Sequence, residues 1–359
     1  MKTAIVGLSS AGKSTLFQLL TGAGEAPAGG RPAARVGIAR VPDPRLDTLA
    51  ELYNPKKKTP ATIEYVDVPG VAKGEGGALV DLPALRGIDA LVHVVRAFES
   101  ELVPHPDGKV DPLRDAKMLE LELILADLGS VERRLERLEA NIKKAKKAED
   151  VAEQAVFLKM KAALEAETPL RELELSDEER RRLRGYAFLS EKPLLLVVNL
   201  GEADVRDSAA AIERLGLLEI ARKKDVGLCP VSATIEAEIS QLAPEDARAF
   251  LDDLGLEQPG LDRVIQTSYS LLGLVSFLTA GEDECRAWTI RRGTRAQQAA
   301  GEIHSDIERG FIRAEVVAFP ELVEAKGSLP ACREKGTLRL EGKEYVVQDG
   351  DVINFRFNV

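Results

Sequence analysis

The residues best placed to do chemistry are eight in a row, Gly7-Leu8-Ser9-Ser10-Ala11-Gly12-Lys13-Ser14. They fit the pattern G-x-x-x-x-G-K-[ST], directly after the apolar run Thr3–Val6 and directly before a helical run through Leu16, Leu19 and Leu20. The glycines let the backbone fold so that successive N–H groups point at phosphate oxygens, and the helix N-terminus behind them favours negative charge. Ser9, Ser10, Ala11, Gly12, Lys13, Ser14 and Thr15 form the expected phosphate-binding set. Within it Lys13 reaches the β- and γ-phosphates, and the Ser14 hydroxyl ligates Mg²⁺.

Three further segments complete a nucleotide site. Asp67-Val68-Pro69-Gly70 closes a strand and matches D-x-x-G. Asp67 is placed to hold Mg²⁺ through water, and the Gly70 N–H to sense a γ-phosphate. The next residue is Val71, where many GTPases carry the glutamine that orients the attacking water. Hydrolysis therefore uses another group or a partner, or is slow. Asn199-Leu200-Gly201-Glu202 stands where G-proteins carry N-K-x-D. The aspartate of that motif accepts two guanine N–H donors. With Leu200 and Glu202 in the lysine and aspartate positions, guanine preference is weakened. Ser232-Ala233-Thr234 resembles the S-A-[KT] element that brings backbone N–H groups to the base.

These segments need a scaffold that brings strand ends together. Strand patterns occupy Thr3–Val6, Arg35–Val41, Thr62–Asp67, Ala90–Val95, Leu194–Asn199 and Gly227–Val231. Several are near-continuous apolar runs, as expected of strands covered on both faces. Alternation with helical segments predicts a doubly wound α/β sheet, with ligands at the carboxyl ends of its strands. Between the fourth and fifth strands, residues 113–190 change character. Met118, Leu121, Leu125, Leu128, Val131, Leu135, Leu138 and Ile142 form a helical seam with one break in the heptad. A second segment around Ala155, Leu158 and Ala162 returns against it, which predicts an inserted antiparallel helical hairpin, either a spacer or a partner-binding arm. Beyond Gly281, strands at Arg286–Arg292, Ile312–Ala318, Thr337–Leu340, Glu344–Val347 and Val352–Phe357 and a helix at Ala296–Arg309 predict a small α+β domain. The expected division is 1–112 with 191–277 for nucleotide, 113–190 for the hairpin, and 278–359 for the tail domain.

Bulk properties exclude several classes. The 359 residues are too many for one core, and 45% hydrophobic with 30% charged residues is ordinary for a globular protein. The net charge of −10 argues against diffuse adhesion to nucleic acid, so any RNA contact must be local. Cys229, Cys285 and Cys332 are few and scattered, which argues for a reduced, cytoplasmic compartment and against a structural metal site. No apolar stretch approaches the roughly 20 residues of a membrane span, and the N-terminal apolar run is too short for a signal peptide.

Together these residues resemble the YchF/Obg-like ATPase family, almost end to end. The resemblance rests on the phosphate loop, Val41-Pro42-Asp43-Pro44-Arg45-Leu46, Pro60-Ala61-Thr62-Ile63-Glu64 and Asn199 to Glu202. It is most specific in Arg286-Ala287-Trp288-Thr289-Ile290, Gly310-Phe311-Ile312-Arg313-Ala314-Glu315 and Val346-Val347-Gln348-Asp349-Gly350-Asp351. It implies a P-loop domain, an inserted coiled coil and a C-terminal TGS domain of β-grasp type. It also implies an Mg²⁺-dependent ATPase switch, with GTP as a second substrate, whose arm and TGS domain contact the ribosome or its RNA. His105 lies where family members tend to carry a histidine near the nucleotide, and so is a candidate for positioning water. The chain departs from the family in three places. Ser10 replaces an asparagine linked to potassium-assisted hydrolysis, Gly24–Asp47 lacks threonine and serine, and the glycine-rich segment 70–77 is short. Two other readings remain, a nucleotide-binding scaffold that hydrolyses little and a GTPase of conventional preference. Six arginines between 282 and 313 are matched by six acidic residues there, so an RNA-binding face would need the charges separated in space.

Overall fold

The computed structural model describes residues 1–24, 34–69, 80–183 and 185–358. Gly70, Val71 and the rest of the segment 70–77 lie outside the described residues, as do 25–33. The chain forms two compact units, Met1–Ile38 with Glu64–Leu271, and Ala39–Ile63 with Leu272–Val359.

The first unit is built on a six-stranded sheet of order β2-β4-β1-β5-β6-β7. The strands are β1 (Lys2–Val6), β2 (Arg35–Arg40), β4 (Thr62–Asp67), β5 (Ala90–Ala97), β6 (Leu194–Leu200) and β7 (Val226–Val231). Pairing is parallel from β4 through β1, β5 and β6 to β7. All seven residues of β6 are buried, as its apolar run Leu194–Val198 requires, with the one polar residue, Asn199, buried near its carboxyl end. The first helix, α1 (Lys13–Thr21), starts at the end of the phosphate loop and buries Leu16, Phe17 and Leu20. The order β4-β1-β5 places the phosphate loop between the strand that ends in Asp67 and the strand that leads to Phe98.

The hairpin insertion is present. Its helices α3 (Pro112–Lys144) and α4 (Ala148–Glu165) pack on each other. Asp111 caps α3 by accepting the Arg114 N–H, with Pro112 in the first turn. The buried face differs in part from the expected seam. Val131, Leu135 and Leu138 are buried as expected, but Leu121 and Leu125 are exposed while Leu119, Leu123 and Ile124 are buried. The cause is the second job of α3: its lower half packs on the sheet core with Val6, Val66 and Leu91, which turns a different face inward. On α4 the buried residues are Val156, Phe157, Met160 and Leu164, not Ala155, Leu158 and Ala162. Phe157 is fully buried with its ring edge-on to Tyr186 and Phe188, a placement worth about 1.5–3 kcal/mol from burial alone. Asp127 of α3 accepts hydrogen bonds from the Leu189 and Ser190 N–H groups and the Ser190 hydroxyl, fixing the point where the insertion rejoins the sheet.

The second unit carries another six-stranded sheet, of order β11-β10-β12-β8-β9-β3. It consists of β3 (Lys57–Thr59), β8 (Leu274–Thr279), β9 (Glu284–Arg291), β10 (Phe311–Ala318), β11 (Arg339–Glu341) and β12 (Asp351–Phe357). Ala296, Ala299 and Ala300 of the helix Ala296–Ile303 pack against Phe277, Ile290, Phe311 and Phe355. Trp288 is half-buried against this core, stacked on Phe277, with its indole N–H donated to Thr279. The single helix expected over Ala296–Arg309 is two, because His304 leaves helical geometry and its Nδ1 caps the second by accepting the Asp306 N–H. Glu344–Val347 makes one isolated bridge, Val346 to Arg295, in place of the expected strand.

Residues 39–63, assigned by the sequence reading to the nucleotide domain, pack in this second unit. Helix α2 (Pro44–Tyr53) lies on β9, and β3 extends the sheet beside it. Arg45 is clamped between Asp43 and Asp349 at 2.8 Å each, and the Tyr53 hydroxyl donates to the Gly327 carbonyl. Two of the stretches that carry the family resemblance thus meet in one ionic junction. Strands β2 and β4 each cross the division between the units.

Candidate functional site

The phosphate loop closes by glycine geometry. Gly7 has φ of 141°, and a Cβ there would stand 2.3 Å from the Val94 carbonyl oxygen. Gly12 has φ of 98°, and its Cβ would stand 2.4 Å from Asn199 Nδ2. No other residue type fits either place. Ser10 adopts φ of 62°, a left-handed conformation unusual outside glycine and asparagine.

Lys13 is buried, and its Nζ donates to the Leu8 carbonyl at 2.7 Å, closing the loop on itself. Burial lowers its pKa to about 8, against the pull of Asp67. Beneath the loop lies His93, completely buried in β5, with Nδ1 unpartnered. Burial and then the neighbouring Lys13 charge push it down to about 3, so it is a neutral filler in the core.

Ser14 stands exposed at the first turn of α1, and its hydroxyl donates to Asp67 at 3.3 Å. A hydroxyl and a carboxylate converging at the phosphate loop are hard oxygen donors. Mg²⁺ bound with a triphosphate needs only one or two such protein ligands, the phosphates and water supplying the rest. These two residues fit that role. Among the described residues no cluster of three or more ligating side chains offers a separate metal site.

The base side is organised by Asn199. It is buried, donates from Nδ2 to the Ala11 carbonyl at 3.1 Å and accepts the Ala233 N–H at 3.0 Å. One side chain thereby ties the phosphate loop to the loop after β7. Beside it opens a pocket of about 380 Å³, lined in part by Gly12, Thr15, Phe98, Leu200, Glu202 and Thr234. That volume is in the range of small-ligand sites. Leu200 offers an apolar wall, and Glu202 an exposed carboxylate at the start of a short helix. Ser232 is not part of the lining: its hydroxyl is buried, without a hydrogen-bond partner, on the other side of the loop.

Sequence reasoning missed Phe98 and Glu99, which line the pocket from the loop after β5. Behind Phe98 sits Arg96, fully buried, with its guanidinium 4.5 Å from the ring centroid and Nε donating to the Phe98 carbonyl at 3.0 Å. Among the described residues no carboxylate pairs with Arg96, and burying such a charge is costly; here it stiffens an aromatic wall of the pocket. The only sequence signal was an arginine inside an apolar strand.

His105 does not line the pocket. Its Nδ1 accepts the Asp107 N–H at 3.1 Å, and Nε2 donates to buried Asp115 at 3.0 Å. With both ring nitrogens engaged, it anchors the loop after β5 to α3.

Two family models match the chain, one towards each end. The family model described as "50S ribosome-binding GTPase" matches residues 2–125. The model described as "YchF-GTPase_C: Protein of unknown function (DUF933)" matches 274–358. The chain is 46% identical over 363 residues to the "Ribosome-binding ATPase YchF" of Bacillus subtilis, covering 99% of this chain and 98% of that one. The chain belongs to the YchF family. Its likeness extends to the "Obg-like ATPase 1" of Caenorhabditis elegans, 35% identical over 367 residues, covering all of this chain and 92% of the relative. Among solved structures, that of the Schizosaccharomyces pombe YchF GTPase matches with a TM-score of 0.86 at 33% identity, covering 99% of this chain and 97% of that one. The YchF fold, a P-loop domain with a helical insertion and a mixed-sheet C-terminal unit, is the fold described above.

Proposed function

We infer that this YchF-family chain is a cytoplasmic P-loop ATPase that acts as a nucleotide-dependent switch on the ribosome. The observation that carries this reading is the convergence on Asn199 of the phosphate loop and the base loop, beside a pocket of nucleotide size. Relatives bearing the name ribosome-binding ATPase support the substrate and the partner.

Lys13 releases the Leu8 carbonyl and takes the β- and γ-phosphates. Ser14 and Asp67 would hold Mg²⁺, which when bound would supply neutralising charge to the phosphate oxygens. Phe98 and Leu200 sandwich the base, and Glu202 and the Ala233–Thr234 backbone meet its edge. The Gly70 N–H, outside the described residues, senses the γ-phosphate. A water-orienting role for His105 requires its bond to Asp115 to open. Val71 cannot orient water, so turnover without a partner is slow.

That substitution favours one second reading, a scaffold that binds nucleotide and scarcely hydrolyses it. Titration with ATP, GTP and both diphosphates, with turnover recorded in sodium and in potassium, separates the two. Binding without measurable ATP turnover, alone and with ribosomes, would overturn the ATPase reading.

A further inference from the structure

The base loop begins with a serine that does not do what its place in the chain favours. Ser232 precedes the helix Ala233–Ile239 in extended geometry, with φ of −120° and ψ of 112°, where a serine hydroxyl ordinarily caps the first turn. Here it makes no such bond. The residue is 3% exposed, and its Oγ has no hydrogen-bond partner among the described residues. A buried hydroxyl left in that condition is costly.

A second orphan stands beside it. Arg263, on the helix Gly260–Leu271, donates from Nη2 to the Pro230 carbonyl at 2.9 Å. Its Nε–H is also buried, without a partner among the described residues. Ser232 and Arg263 line the same small cavity, of about 10 Å³, and Glu236 is a third polar residue on its wall. The Glu236 carboxylate accepts the Gly260 N–H at 2.7 Å and the Leu261 N–H at 3.3 Å, one on each oxygen, and each oxygen keeps a lone pair for a further donor. A cavity of this size admits one water molecule and nothing larger, and three convergent polar groups are the number a buried water uses.

We propose that this cavity binds one water molecule, through which Arg263 positions the base loop. The inference rests on the nucleotide reading above. The Arg263 Nε–H donates to the water, and the water donates to Ser232 Oγ and to Glu236, so both orphans gain a partner. Arg263 then holds the loop at two points, directly at Pro230 and through water at Ser232. The next two residues, Ala233 and Thr234, line the nucleotide pocket, with the Ala233 N–H already held by Asn199. The base side of the pocket is thus set from a second helix before a ligand arrives. Neither Ser232 nor Arg263 lines that pocket, so both are positioning residues, and their effect falls on the base and not on the phosphates.

The test has a structural arm and a binding arm, both on the full chain. A high-resolution crystal structure of the parent should show a water within hydrogen-bond reach of Ser232 Oγ and Arg263 Nε. Binding is measured for ATP and for inorganic tripolyphosphate, which has no base, with Ser232→Ala, Arg263→Lys and the double variant. Lys can still reach Pro230 but has no Nε donor for the water. Each single variant should bind ATP about three- to tenfold more weakly and tripolyphosphate as the parent does. The double variant should be no weaker than the worse single one, because both changes break one linkage. A dry cavity, or Ser232 Oγ bonded into the first turn of its own helix, overturns the proposal. Equal losses for ATP and tripolyphosphate overturn the positioning role, as do losses that simply add. If the water is present but the parent binds no ATP, the nucleotide reading fails while the water site stands.

Discussion

Asn199 donates from Nδ2 to the Ala11 carbonyl at 3.1 Å, so the base loop and the phosphate loop share one buried strut. Its other end accepts the Ala233 N–H. The two bonds need a donor and an acceptor on the same planar group, which aspartate and leucine each lack. Asn199→Asp sets a carboxylate against a carbonyl oxygen in a dry site. It should destabilise the fold by about 2–4 kcal/mol and weaken nucleotide binding more than tenfold. Urea unfolding and ATP titration check this; a variant equal to the parent in both would remove the strut from the mechanism.

Burial holds the Lys13 ammonium at about 8 in the free site. A triphosphate favours the charged form, so binding takes up a proton wherever Lys13 is partly neutral. ATP affinity should stay level below pH 7 and fall as pH rises through about 8. Lys13→Ala should lose most of the affinity and all of this pH dependence. Stability runs the other way. The folded value lies below the unfolded 10.5, so the unfolded chain holds more protons between the two and this group's contribution to stability grows with pH across that window. Calorimetry in buffers of different ionisation enthalpy measures the proton directly.

Ser10 occupies the left-handed region at φ of 62°. Asparagine tolerates that conformation better than serine, so Ser10→Asn should stabilise the chain by up to about 1 kcal/mol. The same change restores the group associated with potassium in the family. The parent should show little or no stimulation by potassium over sodium, and the variant a gain. A many-fold potassium effect in the parent would mean that another oxygen holds the ion.

Base discrimination should be shallow. Leu200 packs as an apolar wall without lysine's charge, and Glu202 is exposed at the pocket rim. ATP and GTP dissociation constants are expected within about a hundredfold, roughly 2.7 kcal/mol, with ATP the tighter. Leu200→Lys together with Glu202→Asp should move the preference toward GTP. A thousandfold parental preference for GTP would place the chain with ordinary GTPases.

The phosphate loop, Asp67 and the Asn199 segment were legible because each is a short local pattern at a strand end, and the parallel sheet brings those ends together. Phe98 was not, because an aromatic after an apolar strand reads as core until the pocket beside it is seen. The insertion was legible as helix but not as to face. Leu121 and Leu125 satisfy the heptad, yet Leu119 and Leu123 are chosen by the sheet that α3 also covers. Strand β8 escaped notice because Leu274–Thr279 follows the helix Gly260–Leu271 without a turn signal strong enough to mark it. The packing of residues 39–63 is invisible locally, since their partners lie more than two hundred positions away.

That separation has a consequence during synthesis. Thr59 of β3 hydrogen-bonds Glu284 of β9, 225 residues later. At about 5–20 residues per second, β3 and the apolar side of α2 wait roughly 10–45 s for the strand that receives them. Leu46 and Leu49, fully covered in the finished protein, stay open to water, chaperones or other nascent chains for that interval. Only when nearly the whole chain has been made can the stretch between β2 and β4 reach its final state. A chain cut after residue 271 never covers it.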